Sequence, residues 1–244
     1  MKLAFGSKDT ADVAAEEPTS SALTEKPSKT LAAPQSAPTD DLGGEISRGD
    51  VRLPRLNLVA RTGNLAETFT PGGFVLNKEA LLSDGKTPLI VVAVRLKKEY
   101  QEMLEYGDEA TPRTFKTAAE VEEAGGELTW KRGENCFGEI AHIELLIEQP
   151  DSLEEDAEAL FFFNGGEKNY AHCIFTVTST AYTAIAKTLI SARMNHLRDT
   201  GLVGGKWELT SKLMKNAKNA WYTPQIKSAG RTDTVFREAT ADLL

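Results

Sequence analysis

The order of hydrophobic and polar positions along the chain predicts a protein built mainly from β-strands. Short alternating or continuous apolar runs, rich in Val, Ile and aromatic residues, are bounded by Gly, Pro and Asn. The stretches with this pattern are residues 51–60, 74–76, 88–96, 137–147, 160–163, 170–178, 206–211 and 219–226. The run 88–96 is apolar on both faces, which is typical of a central strand. The acidic stretch 97–107 is predicted to be a loop with a helical turn, and the basic stretch 212–218 a loop or a helical turn.

The chain is organised around residues 159–200, which read as strand, tight turn, strand and one long helix. Asn164-Gly165-Gly166 is a turn signal because these residues tolerate positive φ. In the second strand Ala171, Cys173, Phe175 and Val177 alternate with polar positions and are expected to face the core. A helix of about 20 residues, roughly 30 Å long, then begins near residues 178–180 and ends at Gly201. Its expected buried face comprises Tyr182, Ile185, Ala186, Leu189, Ile190 and Leu197.

No alternation of strands and helices is visible, so a mainly antiparallel sheet is expected. The predicted fold is mainly β with one long helix: an antiparallel OB-like barrel with elaborated loops, in residues 46–230. A short surface helix is predicted at 117–124. Residues 1–45 are rich in Ala, Ser, Thr and Pro and predict a disordered N-terminal arm, because they offer little apolar surface to bury. Residues 231–244 lack a strong pattern and predict a flexible tail.

Composition favours an ordinary globular protein in a reducing compartment. The chain is 41% hydrophobic and 26% charged, and no run approaches the ~18 apolar residues of a membrane span. The first residues contain no long apolar run that would indicate a secretory signal. Two cysteines, Cys136 and Cys173, match no metal-ligand spacing. A cytoplasmic location without a membrane partner is therefore expected.

The net charge of −8 conceals a segregation along the chain. Residues 50–98 carry +4, residues 99–127 and 128–186 carry −7 each, and residues 187–231 carry +7. The acidic total argues against indiscriminate binding of polyanions. A local basic groove is still expected to act, because salt limits the reach of exposed charge to roughly 10 Å.

The motifs of common enzyme classes are missing from the sequence. There is no GxxxxGK[ST], no GxGxxG after a strand, no HExxH and no GxSxG elbow. His142 and His172 are expected to be ordinary sheet residues, and Cys173 should point to the opposite face from His172. These observations predict a protein that is not an enzyme and uses no cofactor or metal. A small hydrolase or metal protein is the lowest-ranked of three functional hypotheses; the other two are described below.

Residues 187–231 combine nine Lys and Arg residues with three aromatic ones. Cations neutralise phosphates and flat rings stack on bases, so this mixture suits single-stranded nucleic acid. The candidate binding residues are Trp207, Trp221, Tyr222, Lys206, Lys212, Lys215, Lys218, Arg52, Arg55 and Lys97. The alternative interpretation is that Trp207 and Trp221 are core or half-buried packing residues and that the lysines only aid solubility. Since Trp221 and Tyr222 are adjacent in a strand, at least one of them should be exposed.

Several segments together resemble the bacteriophage single-stranded-DNA-binding proteins of the OB-fold class. The resemblance rests on the order of DVRLPRLNLV, GGFVLN, PLIVVAVRLKK, FFFNGGEKNYAHCIFTVTSTAYTAIAKTL and KWELTS…AWYTP between residues 50 and 227. It implies sequence-independent binding of single-stranded DNA in phage replication or recombination, in the cytoplasm of an infected bacterium. Replication or recombination proteins are then expected as further partners. Many such proteins end in a strongly acidic tail with a terminal aromatic residue, which this chain does not have.

The rival hypothesis is a phage structural or assembly protein whose β-domain self-associates. Its acidic and basic segments would then pair between subunits, and it would have no affinity for DNA. A homo-oligomer is compatible with both hypotheses. The DNA-binding hypothesis is ranked first.

Overall fold

The computed structural model describes residues 52–105, 107–153, 155–217 and 219–243. The predicted arm over 1–45 and the candidate residue Lys218 therefore lie outside the described residues. The prediction of a mainly β protein is confirmed. The strands are β1 (Arg55–Leu58), β2 (Phe74–Leu76), β3 (Ala80–Ser83), β4 (Leu89–Glu102), β5 (Thr114–Phe115), β6 (Glu127–Leu128), β7 (Cys136–Glu148), β8 (Phe163–Asn164), β9 (Asn169–Thr178), β10 (Gly205–Lys215) and β11 (Ala220–Arg231).

The helices are short, except where three helical segments follow one another without a break. They are α1 (Asn64–Thr68), α2 (Ala118–Glu123), α3 (Ser179–Ala181), a π-helical turn (Tyr182–Ala186), α4 (Lys187–Asn195), α5 (Thr234–Ala239) and three 3-10 segments (Glu155–Leu160, Leu202–Gly204, Ala241–Leu243). The segments α3, π-helical turn and α4 follow without a break and are called the central helix below. In the described part of the chain, no helix is long and apolar enough to cross a membrane.

One sheet contains every described strand, and eight of them lie side by side in the order β11-β10-β4-β7-β9-β1-β2-β3. The neighbours on this path are antiparallel except β1 and β9, which are parallel and paired only at Arg55–Ile174 and Leu56–Phe175. The sheet curls into a half-barrel. Strands β5, β6 and β8 add short pairings to β4, β7 and β9.

The inner face of the half-barrel holds the main core. Alternate residues of β4, β7 and β9 point inward, and the central helix covers them with Tyr182, Ile185 and Leu189, each at most 2% exposed. A second, smaller cluster on the outer face consists of Val92, Val94, Leu146, Tyr170, Val203 and Phe236. Inward-facing Ala171, Cys173, Phe175 and Val177 confirm the alternation predicted for β9.

Two glycines, one in the turn on each side of the β2–β3 hairpin, accept hydrogen bonds from Ser211 of β10. Ser211 donates its backbone N–H to the Gly85 carbonyl (2.7 Å) and its hydroxyl to the Gly72 carbonyl (2.6 Å). Gly85 has φ +82°, and a side chain there would overlap the carbonyl oxygen of Gly72. These contacts bring the β10–β11 hairpin against the opposite end of the strand path.

Several predicted boundaries are wrong because tertiary pairing overrides local pattern. Strand β4 continues through the predicted loop at 97–107 as far as Glu102, since Lys97 to Glu102 pair with β7. Residues 155–160 form a 3-10 helix, so the strand predicted at 160–163 is reduced to β8. The predicted loop at 212–218 begins as strand, because Lys212 to Lys215 pair with β11.

The predicted flexible tail over 231–244 contains a helix instead. Asp233 caps α5 by accepting the Phe236 N–H (2.7 Å), and the Phe236 ring is 2% exposed against Tyr170. The central helix also differs in detail, because Ile190 is exposed rather than buried. Phe236 and Leu243 pack the tail on the outer cluster, and Thr232 donates its hydroxyl to the Val203 carbonyl at 2.7 Å.

Candidate nucleic-acid interface

The start of the central helix lies at the end of β9, beside β11. Ser179 has φ +53°, an uncommon left-handed conformation for a serine, and it turns the chain sharply from strand into helix. The next residue, Thr180, places its hydroxyl 3.4 Å from that of Thr223 on β11. The helix start is therefore fixed against β11.

A groove of about 420 Å³ runs along this junction. It opens because β1 and β9 separate after Leu56 and Phe175, the last residues that pair. The groove is lined by Arg55, Leu56, Asn57, Leu58, Leu65, Ile174 to Ala181, Tyr222 and Pro224. Two of the predicted binding residues, Arg55 and Tyr222, thus lie on the same groove, and Arg55 is exposed.

Tyr222 forms one wall of this groove. Its ring lies on Gly72, where a Cβ would come within 2.6 Å of the ring carbons. The absence of a side chain at Gly72 lets the tyrosine pack flat on the backbone. The ring is half-buried, so it is held in place while part of its surface remains open.

Beyond Leu209, the last β10 residue that pairs with β4, the strands β10 and β11 continue as a two-stranded ribbon. Lys212 and Lys215 are exposed on it. Their spacing of three residues places them on opposite faces of a strand, so they cannot follow one phosphate backbone as a single row. Trp221 is half-buried and lies opposite Met214, while Tyr222 lies opposite Leu213.

A second exposed aromatic ring, Trp130, lies on the other side of the helix start. Its ring is 43% exposed, and its centroid is 6.4 Å from that of Tyr182 in the π-helical turn. The indole rests on Gly138 of β7, where a Cβ would approach it to 2.9 Å. Lys131 and Arg132 follow it directly and are exposed.

Sequence reasoning missed Trp130. The signal was available, since Trp-Lys-Arg stands between Gly125-Gly126 and Gly133 in a loop. An aromatic residue beside two cations in a glycine-bounded loop is the same pattern that pointed to residues 187–231. The strongly acidic charge of the surrounding segment conceals it.

Lys98 lies beside two aromatic rings at this end of the sheet and is paired with a carboxylate. Its Nζ lies 4.9 Å from the Tyr100 ring centroid and 6.0 Å from that of Tyr182, and it donates to Glu139 at 2.6 Å. Burial lowers the pKa of Lys98, but hydrogen bonds to Glu139 and Tyr100 outweigh it and raise the pKa overall. The ammonium group stays charged beside the aromatic rings.

An ion pair, beside the backbone pairing of β5, clamps the segment 103–135 that carries Trp130 to β4. Arg113 donates to both carboxylate oxygens of Glu102, at 2.9 and 2.6 Å, and to the Asn135 side-chain oxygen at 2.6 Å. The guanidinium also lies 5.2 Å from the Phe137 ring centroid. Hydrogen bonds from Arg113 lower the pKa of Glu102 from 4.5 to about 2.

This clamp makes stability depend on pH. The Glu102 pKa is lower in the folded state, so its contribution is complete above pH 4.5 and is lost as pH falls towards about 2. Glu102→Gln should lower the free energy of unfolding at neutral pH by about 1.5–3 kcal/mol, and should flatten the acid-dependent part of the curve. Urea unfolding between pH 7 and 2 measures both effects. Glu109→Gln, an exposed carboxylate in the same segment, is the control, and equal curves for the two variants would contradict the clamp.

Three of the predicted binding residues lie elsewhere. Trp207 is 6% exposed and belongs to the main core, as the packing alternative stated, so its ring is not open for stacking on a base. Lys206 lies 3.5 Å from Glu148, and Lys97 lies 2.5 Å from Glu99, with both partners on the outer face. These two cations already have carboxylate partners. Arg52 is exposed, three residues before Arg55.

The outer face between β4 and β9 places carboxylates close to basic side chains and histidines. Glu144 lies 3.6 Å from Arg95 and 3.7 Å from His172, and Glu99 lies 3.3 Å from His142. Within the described residues, no group of three His, Cys, Asp or Glu side chains is arranged to hold a metal ion. The groove, the ribbon and the Trp130 loop each carry exposed cations: Arg55, Lys212 with Lys215, and Lys131.

Comparisons with known proteins add no further information: no family model, no curated protein and no solved structure matches this chain.

Proposed function

We propose that this protein binds single-stranded DNA without sequence preference at the start of the central helix. Bases would stack on Tyr222 and Trp130, and Arg55, Lys131, Lys212 and Lys215 would neutralise phosphates. One observation carries the proposal: two accessible aromatic rings flank the same helix start, Tyr222 along the groove and Trp130 against Tyr182. Cations adjoin both rings.

The order of the strands supports the OB-like part of the proposal. Strands β4, β7 and β9 form an antiparallel meander, the central helix follows, and β10 pairs back on β4 with β11 beside it. A five-stranded OB barrel binds oligonucleotides with the loop after its first strand and the loop between its last two. Here these loops would be the segment 103–135, which carries Trp130, and the tip of the ribbon.

The biological setting of the proposal follows from the resemblance to phage single-stranded-DNA-binding proteins. A sequence-independent binder of this kind would cover DNA during replication or recombination in the cytoplasm of the infected bacterium. Proteins of those pathways would be its further partners.

Titration of labelled oligothymidine with the protein, followed by fluorescence anisotropy, tests the proposal. For about four neutralised phosphates, affinity should fall roughly 50-fold between about 50 and about 200 mM salt. Tryptophan fluorescence should be quenched in parallel, and Trp130→Phe should remove most of the quenching. The absence of binding at the lower salt concentration would overturn the proposal.

A second candidate function is favoured by the apolar residues on the ribbon. Leu213 is 38% and Met214 is 37% exposed, on an edge hairpin whose strand β11 pairs only with β10 among the described strands. Exposed apolar edges favour association with another chain. An assembly protein that self-associates there would sediment as an oligomer. Met214→Lys would dissociate the oligomer, and added DNA would not change the sedimentation of either protein.

A further inference from the structure

A second cavity, of about 630 Å³, lies between α4 and the β10–β11 hairpin. Its apolar wall includes Leu197, Trp207 and Ile226, and its charged side chains are Lys187 and Arg231. This volume lies within the range of roughly 300–1,000 Å³ that is typical of small-molecule sites. The mixture of apolar wall and cationic groups is distinct from the groove beside β1.

A buried hydrogen-bond donor adjoins this cavity. The Trp207 side chain is 6% exposed, and its Nε1–H has no hydrogen-bond acceptor among the described residues. The nitrogen faces Gly205, which also lines the cavity: a Cβ there would lie 2.9 Å from Nε1 and 3.0 Å from Leu197 Cδ1. A buried donor without an acceptor is unfavourable, so a ligand that supplies one gains affinity.

The charged side chains of the cavity differ in their partners. Arg231 lies 3.5 Å from Asp199 and donates to the His196 carbonyl oxygen. Lys187 is exposed, and neither an ion pair nor a side-chain hydrogen bond of its ammonium occurs in the described part of the chain. Lys187 therefore supplies positive charge that is not already neutralised.

The hydroxyl groups on the helix wall do not compete with the indole for an acceptor. Thr188 donates to the Ala184 carbonyl at 2.9 Å, and Ser191 donates to the Lys187 carbonyl at 2.7 Å. Both protons are used within the central helix. These two hydroxyl groups therefore do not compete with Trp207 Nε1 and the Lys187 ammonium for a ligand oxygen in the cavity.

We propose that this cavity binds a small organic anion with a planar apolar body and an acceptor oxygen. The ligand oxygen accepts a hydrogen bond from Trp207 Nε1 beside Gly205. The Leu197 methyl group moves aside to make room for it. The planar body lies against Leu197 and Ile226, and the negative charge lies near Lys187. A nucleotide and a free aromatic carboxylate both have this chemistry.

The indole N–H signal of Trp207 in a ¹H–¹⁵N NMR spectrum of the whole chain reports on this site directly. The chain has three tryptophans, and Trp207→Phe identifies the relevant signal by removing it. Thymidine 5′-monophosphate and naphthalene-2-carboxylate are titrated separately. The Trp207 signal should shift and saturate with at least one probe, while those of Trp130 and Trp221 move less. Saturation by the nucleotide identifies a nucleotide site, and saturation by naphthoate alone identifies a site for other carboxylates.

Two substitutions test the assigned contacts. Lys187→Gln should weaken binding of the effective probe about fivefold, whereas Arg193→Gln, on the same helix but outside the cavity lining, should change it less than about twofold. Trp207→Phe keeps an aromatic ring but removes the N–H donor, and it should weaken binding, observed on the probe's own signals, about fivefold. No saturable shift with either probe, equal shifts of all three indoles, or equal effects of the two helix variants would overturn the proposal. None of these results depends on oligothymidine binding.

Discussion

Gly85→Ala is expected to lower the free energy of unfolding by about 3 kcal/mol or more, because two costs act at one position. Alanine at φ +82° costs roughly 1–2 kcal/mol in backbone strain. The added methyl group would also overlap the Gly72 carbonyl oxygen and the Ser211 hydroxyl. The turn would have to move, which breaks the hydrogen bonds that join Ser211 to Gly72 and Gly85.

Gly125→Ala is the matched control for this experiment. Gly125 has φ +72°, but nothing lies within 4 Å of the position of its Cβ, so only the backbone cost applies. Urea unfolding of both variants separates the free-energy cost of backbone strain from that of steric overlap. A difference of less than about 0.5 kcal/mol between them would show that the contact of the β10 end with these turns contributes little, since that is the scale of ordinary surface substitutions.

The sequence predicted strands well where apolar alternation is regular and failed where charged residues lie in a strand. The run 88–96 was recognised, but Lys97 and Glu99 look like loop residues, although they lie opposite His142 and Ile140 of β7. Their charges are accommodated because the outer face provides partners such as the Lys97–Glu99 and His142–Glu99 pairs. No local pattern contains that information.

The candidate site shows the same limit for single aromatic residues. Trp207 and Trp221 occupy similar local contexts, yet Trp207 is buried beneath the central helix and Trp221 is half-buried on the ribbon. Which strand the helix covers depends on the strand order, which sequence periodicity does not give. Tyr222 and Arg55 were predicted as candidates, but their meeting at one groove depends on the separation of β1 from β9. Trp130 was missed because net charge was averaged over a long segment.

Replacing both accessible rings should nearly abolish binding of oligothymidine. Base stacking on one aromatic ring contributes about 1–3 kcal/mol, so Trp130→Leu and Tyr222→Leu should each weaken binding about tenfold or more. Leucine keeps an apolar side chain on Gly138 and Gly72, which preserves packing while removing the flat surface. Tyr222 and Trp130 lie on different sides of the helix start, so the double variant should lose roughly a hundredfold.

Phe162→Ala provides the control for this pair. Phe162 is 69% exposed, but it precedes β8, which pairs with the beginning of β9, whereas the proposed interface lies at the end of β9. Anisotropy at one low salt concentration, with thermal unfolding of each variant to verify folding, should show unchanged affinity for Phe162→Ala. If Phe162→Ala weakened the binding of oligothymidine as much as Trp130→Leu does, exposed aromatic residues would contribute wherever they lie. The interface would then not be localised at the helix start. If Tyr222→Leu alone weakened binding, the groove would be the site and the segment 103–135 would lie off the DNA path.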